Sequence, residues 1–118
     1  SVVLAPMQDG IRLTSGVEFA GVDAQPDFRR IRRMLPLAQK ALPGLGNTIN
    51  REWLGYRPST PDSKPVIGFA PGMQNVFLGF GHGHIGLTLA ARTGYLLADL
   101  VSGREPPVDL KPFNAGRF

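Results

Sequence analysis

Two short stretches carry most of the chemical content of this chain: Gly81-His82-Gly83-His84-Ile85-Gly86 and Tyr56-Arg57-Pro58. The first spells GxGxxG between an apolar, strand-like run and a helix-like run, the arrangement of a dinucleotide-binding turn. That fingerprint also needs a second parallel strand after the helix and an acidic residue about 20 positions on to hold a ribose. Here the helix-like run leads into Arg104-Glu105-Pro106-Pro107, so Glu105 stands before two prolines instead of at a strand end. The residues therefore argue against a dinucleotide turn. His82 and His84 argue equally weakly for a metal, because zinc takes three or four ligands and the chain has 2 histidines and no cysteine. What remains is a glycine-rich strand-to-helix turn whose free N–H groups and partial positive charge suit an anion, or a group that becomes anionic during reaction. From the residues alone, a turn needed only for tight packing stays equally open.

Arg57 is the second candidate. An arginine held in extended backbone by the proline after it presents a rigid fork that matches a carboxylate with two hydrogen bonds. Trp53 and Tyr56 make its surroundings partly apolar. A lone arginine is most often a solvated surface residue, and that reading also stands.

The elements that would position these groups follow from periodicity and turn signals. Residues 1–6, 10–16 and 17–22 read as three short strands of an antiparallel meander, with turns at Asp9-Gly10 and Ser15-Gly16. Asp27 can cap a helix whose apolar series is Ile31, Met34, Leu35, Ala38 and Leu42, with a kink or fresh start at Pro36. The stretch 48–58 reads as a strand, 66–70 as a short strand, and 75–80 as a buried one. A helix is predicted from about residue 85 to residue 102, with Leu87, Ala90, Ala91, Gly94, Leu97, Ala98 and Val101 forming a stripe small enough to lie close to a sheet. Residues 103–118 read as an extended tail. The fold class is thus α+β, an antiparallel or mixed sheet with two main helices.

The 118 residues amount to one domain's worth of chain with one expected core, at 42% hydrophobic and 19% charged. No apolar run reaches the roughly 18 residues of a membrane span. Lack of cysteine removes disulfides and thiol chemistry and suits a reducing compartment. The net charge of +4 comes largely from Arg29, Arg30, Arg32 and Arg33. Because these lie in a helix-like segment with core-spaced apolar residues, they read as a solvated face and not as a nucleic-acid site. No signal peptide is evident, and the opening Ser1, without an initiator methionine, reads as a piece of something longer.

Taken together, "GYRPSTPDSKPVIG", "NVFLGFGHGHIGLT", the small-residue helix and the terminal "F…RF" resemble the C-terminal third of the D-amino acid oxidase and dehydrogenase family of FAD-dependent amine oxidoreductases. The front part, "DGIRLTSGVEFAG" with the arginine-rich helix and "LPGL", resembles the end of the substrate domain in the bacterial D-amino acid dehydrogenase branch.

The resemblance implies that the chain is a fragment of a two-domain enzyme, with residues 1–70 closing the substrate domain and 71–118 returning to the FAD-binding domain. It implies an enzyme that oxidises a D-amino acid, or a related amino or imino acid, by hydride transfer to FAD. Arg57 then binds the substrate carboxylate beside Tyr56. Gly83, His84, Ile85, Gly86, Leu87 and Thr88 face the flavin ring through their backbone, and no side chain acts as a strong base. Ser63 departs from the glycine that relatives commonly have in this turn, and His84 occupies a position that varies.

Since no dinucleotide turn for the ADP half of FAD is present, the chain alone is expected to bind FAD weakly or not at all and to be inactive. Its expected partners are the amino acid, the missing N-terminal FAD-binding part and a second copy of itself. The expected location is cytoplasmic, with the full-length protein peripheral to the inner membrane. Two other functions remain on this reading: a small anion- or carboxylate-binding module without redox activity, and one subunit of a heteromeric amine dehydrogenase.

Overall fold

A computed structural model describes residues 2–118; Ser1, the opening residue of the first predicted strand, lies outside them. The chain forms two compact units, residues 1–55 and residues 56–118.

The first unit begins with a hairpin, β1 (Val3–Met7) paired antiparallel to β2 (Gly10–Thr14), with Met7 opposite Gly10 across the turn. The expected third strand does not form. Residues 17–22 carry no ladder, and Val17, Phe19 and Val22 are exposed, Phe19 at 97%. Their alternation can only become a strand against an available edge, and among the described residues no edge takes them.

The first predicted helix is split into a single turn, α1 (Arg29–Arg32), and α2 (Leu35–Ala41), which starts afresh with proline in its first turn. Ala38 is buried and Ile31, Met34 and Leu35 are half-buried, as their spacing requires. Asp27 acts from just outside the helix start, accepting the Arg29 N–H at 3.0 Å and pairing with its guanidinium at 2.7 Å. Of the four arginines, Arg29 is held by Asp27, Arg30 donates to the Val17 carbonyl at 3.1 Å, and Arg32 pairs with Glu52. The basic segment is therefore largely spent on its own unit. Arg12 lies 5.7 Å over the Trp53 ring.

The second unit is built on β3 (Val66–Phe69), β4 (Phe77–Phe80) and α3 (Gly86–Val101). The strands pair antiparallel with Phe69 opposite Phe77, and the two rings stack tilted at 4.9 Å. Val66 and Ile67 are buried, whereas β4, expected to be buried, is only half-covered, with Phe80 50% exposed. The expected strand over 48–58 is absent; only Ser59 makes a bridge, to His82. Pro58 cannot donate to a ladder, so only its carbonyl is used.

The long helix forms within a residue of its expected limits but turns its other face to the sheet. Thr93 and Leu96 are buried and Leu89, Leu97 and Leu100 half-buried, while Leu87, Ala90, Ala91, Gly94, Ala98 and Val101 are exposed. The close approach comes from the strand: a side chain at Gly79 would stand 2.8 Å from Leu97 Cδ1 and 3.4 Å from Thr93 Cγ2. Small residues on the helix are not what brings the two together.

Instead of one core, the buried hydrophobic side chains among the described residues are Ala38 in the first unit and Val66, Ile67 and Leu96, beside the buried Pro65, in the second.

Candidate functional site

The glycine-rich turn and the Arg57 segment lie side by side in the second unit. Gly83 donates its backbone N–H to the Pro58 carbonyl at 3.0 Å, and Ser59 bridges His82. Arg57 thus sits one residue from a backbone tie to the turn. Its side chain is exposed and has no carboxylate partner among the described residues. Tyr56 is also exposed, at 65%.

The turn runs from β4 through Gly81 and Gly83, both in the left-handed region at φ 79° and 56°, into a 3₁₀ turn at Gly83–Ile85 and then α3. Gly81 and Gly83 answer to the chain's own packing. A side chain at Gly81 would stand 2.7 Å from Thr60 Cγ2, one at Gly83 3.3 Å from Ser59 Oγ, and one at Gly86 3.4 Å from His82 Cβ. Gly81 and Gly83 are thus explained by backbone conformation and packing without a ligand, so they are no argument for a dinucleotide turn, whereas the contact at Gly86 is an ordinary one that does not demand glycine.

The surface beyond them is open. His84 and Thr88 are exposed, Ile85 is 40% and Leu87 95% exposed, and the start of α3 has neither a side-chain cap nor an acidic residue in its first turn. No side chain therefore offsets the partial positive charge at this start, while the 3₁₀ turn before it already uses the Gly83 and Ile85 N–H groups, on the Pro58 and His82 carbonyls.

His82 is a packing residue in its geometry. Its Nε2 lies 2.9 Å from Thr93 Oγ1, tying the turn to the buried face of α3. Sequence reasoning missed Thr93, which lies outside the small-residue stripe. It missed Thr60 as well, which backs Gly81 with its methyl and donates its hydroxyl to the Lys64 carbonyl at 2.6 Å. Arg117 was visible only as part of the terminal "RF". Its guanidinium reaches back to pair with Asp62 at 2.8 Å, and this pairing holds the Asp62 carboxyl well below the usual carboxylate range. Ser63 stands in the left-handed region at φ 60°, the backbone conformation that glycine favours in this turn.

The profile of the FAD dependent oxidoreductase family, DAO, matches residues 1–100. The chain belongs to the FAD dependent oxidoreductase family. Among its relatives are a D-amino-acid oxidase of Bradyrhizobium diazoefficiens, 40% identical over 113 residues that span 92% of this chain and 27% of the relative, and a D-amino acid dehydrogenase of Paramagnetospirillum magneticum, 36% identical over 118 residues that span 99% and 28%. A D-amino acid dehydrogenase 2 of Mesorhizobium japonicum is 42% identical over 100 residues, 84% of this chain and 24% of that protein. The chain therefore spans about a quarter of the length of these relatives. Within this family the open start of α3 fits a flavin ring: its exposed apolar side chains and the partial positive charge of an uncapped helix start suit a flat group that gains negative charge, and no carboxylate in its first turn opposes it.

Proposed function

We propose that this chain is the part of an FAD-dependent amino acid oxidoreductase that binds the substrate carboxylate and supports the flavin ring. Arg57 pairs with the carboxylate of a D-amino acid or a related amino or imino acid, with Tyr56 beside it. The backbone of residues 83–88 faces the ring. Bound FAD supplies the two-electron acceptor for the substrate's α-C–H bond. Arg57 orients that bond by fixing the carboxylate, and the donors at the start of α3 stabilise negative charge opposite it. A substrate with a neutral amine needs no strong base from this chain.

The observation that carries the reading is the Gly83 N–H to Pro58 carbonyl hydrogen bond, which fixes the carboxylate-binding segment against the turn. In the full-length enzyme, Arg57→Leu is expected to raise KM for the amino acid roughly 10- to 100-fold, the loss of a charge-assisted hydrogen bond worth about 1.5–3 kcal/mol. An unchanged KM would sink the assignment. The ADP half of FAD has no binding turn in this chain, so FAD and a D-amino acid added to it with a dye acceptor should give no dye reduction. The relatives' greater length and the exposed stripe of α3 support a further part of the reading: the FAD-binding portion of the same protein covers Leu87, Ala90, Ala91, Gly94, Ala98 and Val101.

A further inference from the structure

We infer that Arg117 is a positioning residue for Arg57, holding from 55 residues past Asp62 the turn that sets where the carboxylate-binding guanidinium stands. The inference rests on the reading of Arg57 given above.

Arg117 uses all three of its nitrogens. Nε donates to Asp62 Oδ2 at 2.8 Å, and Nη2 donates to Asp62 Oδ1 at 3.1 Å and to the Lys64 carbonyl at 2.7 Å. Nη1 donates to the Asn114 carbonyl at 3.0 Å, and the guanidinium lies 4.3 Å over the Phe118 ring. The side chain is only 14% exposed. A solvated ion pair adds little to order, but a forked, largely covered one that also holds a backbone carbonyl resists exchange with water. The base of the clamp is itself fixed, since Asn114 Oδ1 accepts the Gly116 N–H at 2.6 Å and closes the turn that carries Arg117.

The clamp transmits along a continuous set of contacts. The Lys64 carbonyl that accepts from Arg117 also accepts from Thr60 Oγ1 at 2.6 Å, and the Ser63 N–H closes onto the Thr60 carbonyl at 3.1 Å. The Thr60 methyl lies under Gly81, Ser59 bridges His82, and the Pro58 carbonyl takes the Gly83 N–H. Residues 58–60 are thus held by the glycine turn on one side and by Arg117, through the 60–64 turn, on the other. Arg57 projects from the end of that short span, with no other tie among the described residues. Releasing Arg117 frees one side of the span and lets Arg57 shift against the turn, while the 83–88 backbone keeps its own support from His82 and Thr93.

The test uses the full-length, FAD-loaded enzyme with Arg117→Gln, Arg117→Lys, Arg57→Leu and, as a matched surface pair elsewhere in the unit, Arg104→Gln, which breaks the 2.9 Å Asp99–Arg104 pair. Arg117→Gln is expected to raise KM for the amino acid, and the inhibition constant of acetate as a bare carboxylate, about 10-fold or more, as a misplaced binding group does. The bound FAD content and flavin absorbance spectrum should stay unchanged. Arg117→Lys, which keeps charge without the fork, should fall between, and it serves as the variant if Arg117→Gln yields no soluble protein. KM and acetate binding within twofold of the parent, or an equal effect from Arg104→Gln, would overturn the inference while Arg57→Leu still weakens acetate. If Arg57→Leu also leaves acetate binding intact, the reading of Arg57 falls, and this inference with it.

Discussion

The γ-methyl of Thr60 occupies the space in which a side chain at Gly81 would stand, 2.7 Å from the position of its Cβ. One contact thus joins the two stretches that sequence reading had singled out separately. It also explains why glycine is needed at 81: the backbone there is left-handed, at φ 79°, and backed by another segment.

Gly81→Ala meets both penalties. The overpacking costs on the order of 1–3 kcal/mol and the left-handed backbone about 1 kcal/mol more. Adding Thr60→Ser removes the methyl and keeps the hydroxyl that donates to the Lys64 carbonyl. The double variant should recover the steric part and retain the backbone part. Urea unfolding of the four-member cycle measures this, and strict additivity would show that the contact is not what excludes a side chain.

Ser63→Gly should stabilise the second unit. Ser63 holds φ 60°, which costs a residue with a Cβ about 1–2 kcal/mol. Glycine gives back about 0.5–1 kcal/mol in the unfolded chain, so a net gain on the order of 0.5 kcal/mol is expected. A lower urea midpoint would mean that the serine side chain does more for the turn than its backbone strain costs.

Acid should loosen the 60–64 turn. The Asp62 carboxyl lies well below its usual value of 3.8, chiefly because Arg117 hydrogen-bonds its charged form. A carboxylate with a depressed folded value stabilises fully above its ordinary value, and that contribution is lost as pH falls below about 4. In the first unit Asp27, lowered from 3.8 to about 2 by Arg29, loses its contribution between those values. Unfolding midpoints followed from neutral pH to acid should fall less steeply for Asp62→Asn than for the parent. Parallel curves would mean that the pair contributes nothing to the pH dependence.

Gly94→Ala should act in opposite directions in the chain alone and in the full-length protein. In the chain, a methyl at Gly94 would meet nothing within 4 Å beyond its own stretch of helix backbone, so the helix gains about 0.5–1 kcal/mol. Against a covering FAD-binding portion, an added methyl in a close-packed face costs on the order of 1–3 kcal/mol. Equal stabilisation in both would remove that face as the contact.

The legible parts were those set by local rules. The hairpin at Asp9-Gly10 and the fresh helix start at Pro36 follow from turn chemistry and the missing proline N–H. The limits of α3 follow from a run made mostly of Leu, Ala and Arg, and from Gly103 just beyond its end. The strands over 17–22 and 48–58 were misread because alternation marks a capacity to pair, and pairing needs an edge that a local pattern cannot supply. The face of α3 was misassigned for a related reason: both of its sides carry apolar residues, and which one meets the sheet depends on Gly79, which admits Leu97 and Thr93.

By itself the sequence determined the family, the α+β class and the two candidate stretches, because these rest on residue types in a fixed order along the chain. Only the tertiary structure decided that Pro58 and Gly83 are hydrogen-bonded and that Thr60 backs Gly81. The tertiary structure likewise decided that Arg117 closes on Asp62 from 55 residues away. Contacts between segments distant in sequence arise from packing, and packing is a property of the folded backbone that no local spacing encodes.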